Sequence, residues 1–215
     1  MKTVWIIGGG KFGLRAARVI SRNNPGTDMV LIDKNPQLKR TCEDMAIKFI
    51  CSEAVSFLHE NMEKSNAPEW IVPAIPVHVA FEWIKRELTE MGYPVTVIDV
   101  PEEVERVLPN PVRGRNGAFY ISNADFMCPD NCPEPETLCT FTGKPRPRIL
   151  YQTLRDLRYR DFVSIVIQSH QLAPGAGGFT PGALFEALSR IKQRSSPVFI
   201  STSCSCHAVM HAFRI

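Results

Sequence analysis

Three glycines set between a short apolar run and an amphipathic one constrain this chain more than any other feature in it. Val4-Trp5-Ile6-Ile7 leads into Gly8-Gly9-Gly10-Lys11-Phe12-Gly13, a G-x-G-x-x-G, and a helical pattern follows at once. A strand, a glycine turn and a helix in that order are the opening unit of an α/β sheet that takes a dinucleotide. Gly8 is expected to turn the chain off the strand, Gly10 to let the backbone approach a pyrophosphate, and Gly13 to let helix and strand pack closely. The phosphates then belong at the helix start, on the free N–H groups of the turn that holds Lys11 and Phe12. A second apolar run, residues 29–32, ends at Asp33, about 20 residues beyond the last glycine, where a carboxylate can bond both hydroxyls of an adenosine ribose and repels a 2′-phosphate. The pattern therefore predicts NAD(H) rather than NADP(H), with the charge of Lys34 pulling the other way.

Periodicity places the remaining elements. Phe12, Leu14, Ala16, Ala17, Val19 and Ile20 recur at helical spacing with Arg15, Arg18 and Arg22 opposite, until Asn23-Asn24-Pro25-Gly26 stops the pattern. A short helix is predicted from Asn35-Pro36 to residue 44, a buried strand over 47–51, a helix over 52–62, and a strand over 69–76 that runs into a proline loop. A helix over 80–91 and a strand over 95–100 follow, with His78 between strand and helix as a capping or solvated residue. Residues 101–148 are proline-dense and irregular apart from a strand near 118–121. Beyond them come a helix over 149–157, a strand over 162–168, a helix around 184–191 capped by Thr180-Pro181, a strand over 198–202, and a last segment, 208–215, open to strand or helix. Alternating strands and helices predict a doubly wound, mostly parallel α/β sheet. Residues 1–124 form the nucleotide-binding part, and 125–215 a Cys/Pro-rich irregular insertion with further α/β elements packed on it, either as a second unit or continuous with the first.

The run from Val4 to Pro36, with IIGGGKFGLRAARVI and LIDKNP, resembles the Rossmann NAD-binding domains of Trk-type potassium-transport and potassium-channel regulatory subunits. It covers about the first fifty residues. The resemblance implies a Rossmann-like fold, NAD(H) as the dinucleotide, and a homodimer that signals to a protein partner.

With 215 residues and 44% hydrophobic composition, the chain can bury a substantial core. Its net charge of +3 is spread over both signs, although Arg113, Arg115, Lys144, Arg146, Arg148, Arg155, Arg158 and Arg160 gather in the second half. That cluster is expected to be a solvated face, and nucleic acid is not the predicted partner. No run approaches the ~20 apolar residues of a membrane span, and the N-terminus lacks the layout of a signal peptide. A soluble cytoplasmic protein is expected. Seven cysteines there are reduced thiols or metal ligands rather than disulfides.

Three of those cysteines, Cys128, Cys132 and Cys139, fall within twelve residues of proline-rich chain. Irregular backbone can turn several sulfurs toward one ion where a helix or strand would splay them. Cys204, Cys206 or His207 could add a fourth ligand, with Cys206 favoured. A 4Fe–4S cluster is favoured over zinc, with a metal-free reading also open, since the spacing matches neither the common ferredoxin runs nor the usual zinc knuckle. Cys42 and Cys51 are expected to be small buried hydrophobes.

A second glycine-rich stretch, Gly175, Gly177 and Gly178, is expected to be a mobile loop over the cleft or an anion-binding turn. His170, at the end of a strand, is its candidate proton-transfer residue. The function that follows is an NAD(H)-dependent oxidoreductase acting on a small molecule, with a cysteine-ligated metal centre. The alternatives are a non-catalytic NAD(H)-sensing regulator of a potassium transporter or other partner, and a small-molecule transferase.

Overall fold

A computed structural model describes residues 3–135 and 137–215. Its first part alternates as the hydrophobic pattern dictates: β1 (Thr3–Ile7), α1 (Lys11–Asn23), β2 (Asp28–Asp33), α2 (Leu38–Asp44), β3 (Lys48–Cys51), α3 (Ala54–Asn61) and β4 (Trp70–Pro73). These strands make a parallel four-stranded sheet in the order β3-β2-β1-β4, with Ile7 opposite both Ile32 and Pro73. β1 is apolar along its whole length because both faces are covered. Val4 and Ile6 lie under α1 against Ala16, Ala17 and Ile20, whereas Trp5 and Ile7 face the other side, toward Phe57 and Leu58 of α3. After β3 the chain returns to the far side of β1 to lay down β4. In parallel α/β sheets such a reversal marks the end of the strands where ligands bind, here the carboxyl ends of β1 and β4.

The second part comprises α4 (Val79–Glu90), β5 (Thr96–Ile98), α5 (Glu102–Glu105), β6 (Val112–Arg113), a 3₁₀ turn (Arg115–Gly117), β7 (Phe119–Ser122), α6 (Leu150–Arg155), β8 (Val163–Gln168), β9 (His170–Ala173), β10 (Ala176–Gly178), α7 (Pro181–Lys192), β11 (Val198–Ser203) and β12 (His207–Arg214). Its main sheet runs β6-β7-β12-β11-β8, with β5 sharing the β7 edge of β12. Here the expectation of a mostly parallel sheet needs correction. Only β8 and β11 are parallel, joined by α7; β12 is antiparallel to β11, β7 and β5. The C-terminal segment, open to helix or strand by its pattern, is the central strand β12, buried at Ala208 and from Met210 to Phe213. Burial on both faces erased the alternation that would have marked it. This sheet takes β5, β6 and β7 from before residue 124 and β8, β11 and β12 from after it.

The two sheets share a core. Trp5, Ile7, Phe81, Trp83, Ile165, Ile200 and Phe213 belong to one apolar cluster that α4 bridges. Ile71 of β4 also exchanges both backbone hydrogen bonds with Phe179, at 2.9 and 3.0 Å, which ties the parallel sheet to the segment entering α7. Thr180 caps α7 through Ala183 N–H, with Pro181 in its first turn, as its sequence predicts. Among the described residues no helix is long and apolar enough to cross a membrane.

Candidate functional site: a glycine turn and a thiol cavity

The glycine turn divides into glycines the fold requires and one it does not. Gly8 has φ +106°, and a side chain there would strike Ile75 and the Ala74 carbonyl; one at Gly13 would overlap the Gly8 carbonyl oxygen. Gly10 differs. Its φ of −70° suits any residue, and a Cβ added to it would meet no atom of the described residues within 4 Å. It caps α1, whose first intrahelical bond runs from Leu14 N–H to the Gly10 carbonyl at 3.0 Å, so the N–H groups of the preceding turn point out of the helix end. At the end of β2, Asp33 Oδ2 accepts from Gly9 N–H at 2.7 Å and Oδ1 from Asn35 N–H at 2.8 Å. Those bonds fix the carboxylate beside the glycine turn. Lys11, Phe12 and Lys34 are exposed around it.

The second locus is a cavity of about 420 Å³ between the cysteine loop, the β9–β10 hairpin and the turn after β11. Its lining includes Cys128, Cys132, Cys139, Cys204, Cys206 and His207. The loop is held by its backbone. The Cys132 carbonyl accepts from Gly175 N–H at 3.0 Å and Gln171 Nε2 at 2.6 Å, and Cys139 N–H donates to the Lys144 carbonyl at 2.8 Å. Across the cavity, Glu134 Oε1 accepts from Ser205 N–H at 2.6 Å, and Asn123 N–H donates to the Cys206 carbonyl at 2.8 Å. Residues far apart in sequence thereby meet.

The thiols differ electrostatically. Burial pushes Cys204 up to about 12. Burial also raises Cys128, assisted by neighbouring Cys132, Cys139 and Cys206. Cys206 is raised by burial against the opposing pull of Arg146, whose Nε donates to its Sγ at 2.8 Å, while hydrogen bonds from Thr142 lower Cys139. Without a metal, Cys128, Cys204 and Cys206 are therefore protonated at neutral pH. In donor chemistry the set suits a thiophilic centre. In position it is a ring around a void: among the described residues no three His, Cys, Asp or Glu side chains stand where they could hold one ion together.

The second glycine stretch is not an open loop. It forms the β9–β10 hairpin, in which Gly175 (φ +74°) leaves room for the Asp130 carbonyl and Gly178 for the Ile71 carbonyl. Both glycines accommodate neighbouring backbone. Ser169 and Gln171 line the thiol cavity, whereas His170 lies on a separate small pocket with Arg155 and Arg190, its ring edge-on to Trp70 at 5.4 Å. His170 is thus apart from the thiols.

Two further expectations change. Cys42 is buried, but Cys51 is exposed, its Sγ 3.6 Å from the Lys34 carbonyl. His78 is neither solvated nor a side-chain cap. It is 3% exposed, with Nδ1 3.0 Å from His211 Nδ1 and Nε2 2.9 Å from Thr202 Oγ1. The Asn116 backbone works against the effect of burial on the His211 ring. As neutral imidazoles one ring donates and the other accepts across the Nδ1–Nδ1 contact, and the Thr202 hydroxyl can serve His78 Nε2 in either role. Burial lowers both, His211 to about 4.

Asp130, Glu134 and His211 carry no recognisable signal in the sequence, and Arg146, expected on a solvated face, instead lines the thiol cavity against Cys206. Asp130 joins the two loci: its Oδ2 lies 2.8 Å from Lys11 Nζ and 3.4 Å from Arg15 Nη1, on the first two turns of α1.

The molecule is thus a two-sheet α/β protein with a glycine turn on a parallel sheet and a thiol cavity against a mixed one. Residues 80–215 match a family model described as "Uncharacterized protein, C-terminal domain", and the chain belongs to that family. The matched span takes in nearly all of α4, the second sheet and the thiol cavity. The chain is also similar to a protein of Archaeoglobus fulgidus described as "Uncharacterized protein", 28% identical over 224 residues that cover 97% of this chain and 98% of that one. Both halves of the molecule therefore occur together in that relative.

Proposed function

We propose that this chain is a Rossmann-like NAD(H)-binding protein of oxidoreductase type, whose thiol cavity seats a cysteine-ligated centre. The observation that carries the first half is Gly10. Packing accounts for Gly8 and Gly13, but among the described residues no atom stands where a Cβ at position 10 would go. A pyrophosphate at the N-terminus of α1 does need a glycine there, because its oxygens approach the backbone where a Cβ would stand. Strand order supports the same reading, since the β1/β4 reversal lies beside the glycine turn and Asp33 ends the neighbouring β2.

The thiol cavity supports the second half through its donors. Cys128, Cys132, Cys139 and Cys206 would be the ligands, with iron–sulfur favoured over zinc. They would have to turn inward, and Cys206 would share its sulfur with the Arg146 hydrogen bond. Seven free cysteines suit a reducing compartment such as the cytoplasm. Nicotinamide passes two electrons as hydride whereas an iron–sulfur centre takes one, so the centre is assigned a holding or sensing part rather than direct exchange with NADH. The Asp130 contact with α1 favours a second reading, in which the chain is an NAD(H)-sensing regulator like the subunits its first fifty residues resemble, acting on a protein partner or as a homodimer.

Calorimetric titration with NADH tests the dinucleotide site. Binding that Gly10→Val removes while thermal stability holds supports it, and equal affinity for NADPH counts against the part given to Asp33. Anaerobic purification with metal analysis and an absorption spectrum tests the centre; no metal, with Cys128, Cys132 and Cys139 freely alkylated, sinks it. NADH turnover with candidate substrates separates enzyme from regulator.

A further inference from the structure

The loop that carries Cys128 and Cys132 is fastened to the glycine-turn helix through one carboxylate. Asp130 lies midway between the two cysteines and reaches Lys11 Nζ at 2.8 Å and Arg15 Nη1 at 3.4 Å. Its place is set by packing rather than by a free rotamer alone. The loop backbone is seated by the bonds from Gly175 and Gln171 to the Cys132 carbonyl, and Gly175 lacks a Cβ just where the Asp130 carbonyl lies.

Lys11 is the other half of the contact. It is the first residue of α1, directly after Gly10, and its side chain is 73% exposed on a flexible stem. A pyrophosphate on that helix end brings two negative charges within reach of the stem. It also meets the negative charge of Asp130 beside the same turn. Lys11 thus has two anions to choose between.

We propose that Asp130 is an internal competitor for the charge that a dinucleotide's pyrophosphate takes, so that NAD(H) binding draws Lys11 off Asp130 and loosens the loop bearing Cys128 and Cys132. This rests on the dinucleotide site proposed above. Linkage makes the effect reciprocal: whatever tightens the cysteine loop weakens NAD(H) by the same factor. An exposed ion pair is a modest competitor, which sets the scale at about two- to five-fold. Arg15, deeper along the helix at 22% exposure, stays beside Asp130 and limits how far the loop opens.

The test uses the full chain, NADH as the probe, and the variants Asp130→Asn and Lys11→Gln. Calorimetry gives the affinities, and peptide mapping gives the alkylation rates of Cys128 and Cys132 with and without saturating NADH. Asp130→Asn should bind NADH about two- to five-fold more tightly than the wild type. NADH should speed alkylation of both cysteines by a similar factor in the wild type and leave it unchanged in Lys11→Gln, where the shared ammonium is gone. Unchanged or weaker binding by Asp130→Asn overturns the competition, as do alkylation rates that saturating NADH leaves unchanged or slows. Absence of any binding heat from folded wild-type protein rejects the dinucleotide site itself, an outcome distinct from binding without coupling.

Discussion

The glycine turn and the thiol cavity are built in opposite ways. The turn is local: residues 8–13 carry its backbone, and Asp33 arrives one strand later in a sheet of regular parallel pairs. The cavity collects its thiols from residues 128, 132 and 139 and then from 204 and 206, across irregular chain held by carbonyls and by the carboxylates of Asp130 and Glu134. A local site depends on backbone sterics and survives most changes elsewhere. A collected site depends on every strut that spans it.

Two glycine substitutions, one inside the packed turn and one at its open end, probe the first side of that contrast. Gly13→Ala puts a methyl onto the Gly8 carbonyl and should cost about 3 kcal/mol or more, read as a lower urea midpoint or failure to accumulate folded protein. Gly10→Val should cost less than about 1 kcal/mol, because only a helix cap is altered, yet lower NADH affinity by about a hundredfold, or roughly 2.7 kcal/mol, on calorimetry. If Gly10→Val lost stability and Gly13→Ala did not, the division between fold-required and ligand-required glycines would be wrong.

Acid should separate the shared core from both sites. A histidine whose folded pKa lies below its unfolded value binds more protons unfolded, so its contribution is complete above the unfolded value and declines as pH falls through the folded one. His211 falls from 6.5 to about 4 on folding. Urea unfolding should therefore show stability dropping as pH is lowered from about 6.5 to about 4, by roughly 2 kcal/mol for this ring after allowance for solvent screening. His211→Leu should be less stable than wild type at pH 7 and flatter with pH below 6.5. A parallel decline in both proteins would show that the histidine pair does not govern acid lability.

The smallest expected effect belongs to a strut of the cavity. Glu134→Ala removes the acceptor for Ser205 N–H and should cost about 1 kcal/mol while quickening alkylation of Cys206. Glu134→Gln keeps an acceptor oxygen and should stay closer to wild type. Equal alkylation in all three proteins would show that the turn at 204–206 is held without Glu134.

What could be read from the sequence follows the same division. The parallel sheet, α1, the Thr180-Pro181 cap and the limits of most helices came from periodicity and capping residues, which act over a few positions. Gly8, Gly13 and Asp33 fall where spacing placed them because a strand–turn–helix unit leaves little geometric freedom. The grouping of Cys139 with Cys128 and Cys132, and of Cys206 with all three, was visible only as composition. Sequence spacing predicted neither the hairpin that glycines 175–178 form, nor the antiparallel pairing of β5 with β12, nor the burial of His78 against a residue 133 positions away. Periodicity reports which face of an element is apolar, and it carries no record of the partner that face will meet. Strand pairing, the neutral histidine pair and the Asp130 contact with Lys11 are satisfied by groups from distant segments, so they are decided only when the two sheets close on their shared core.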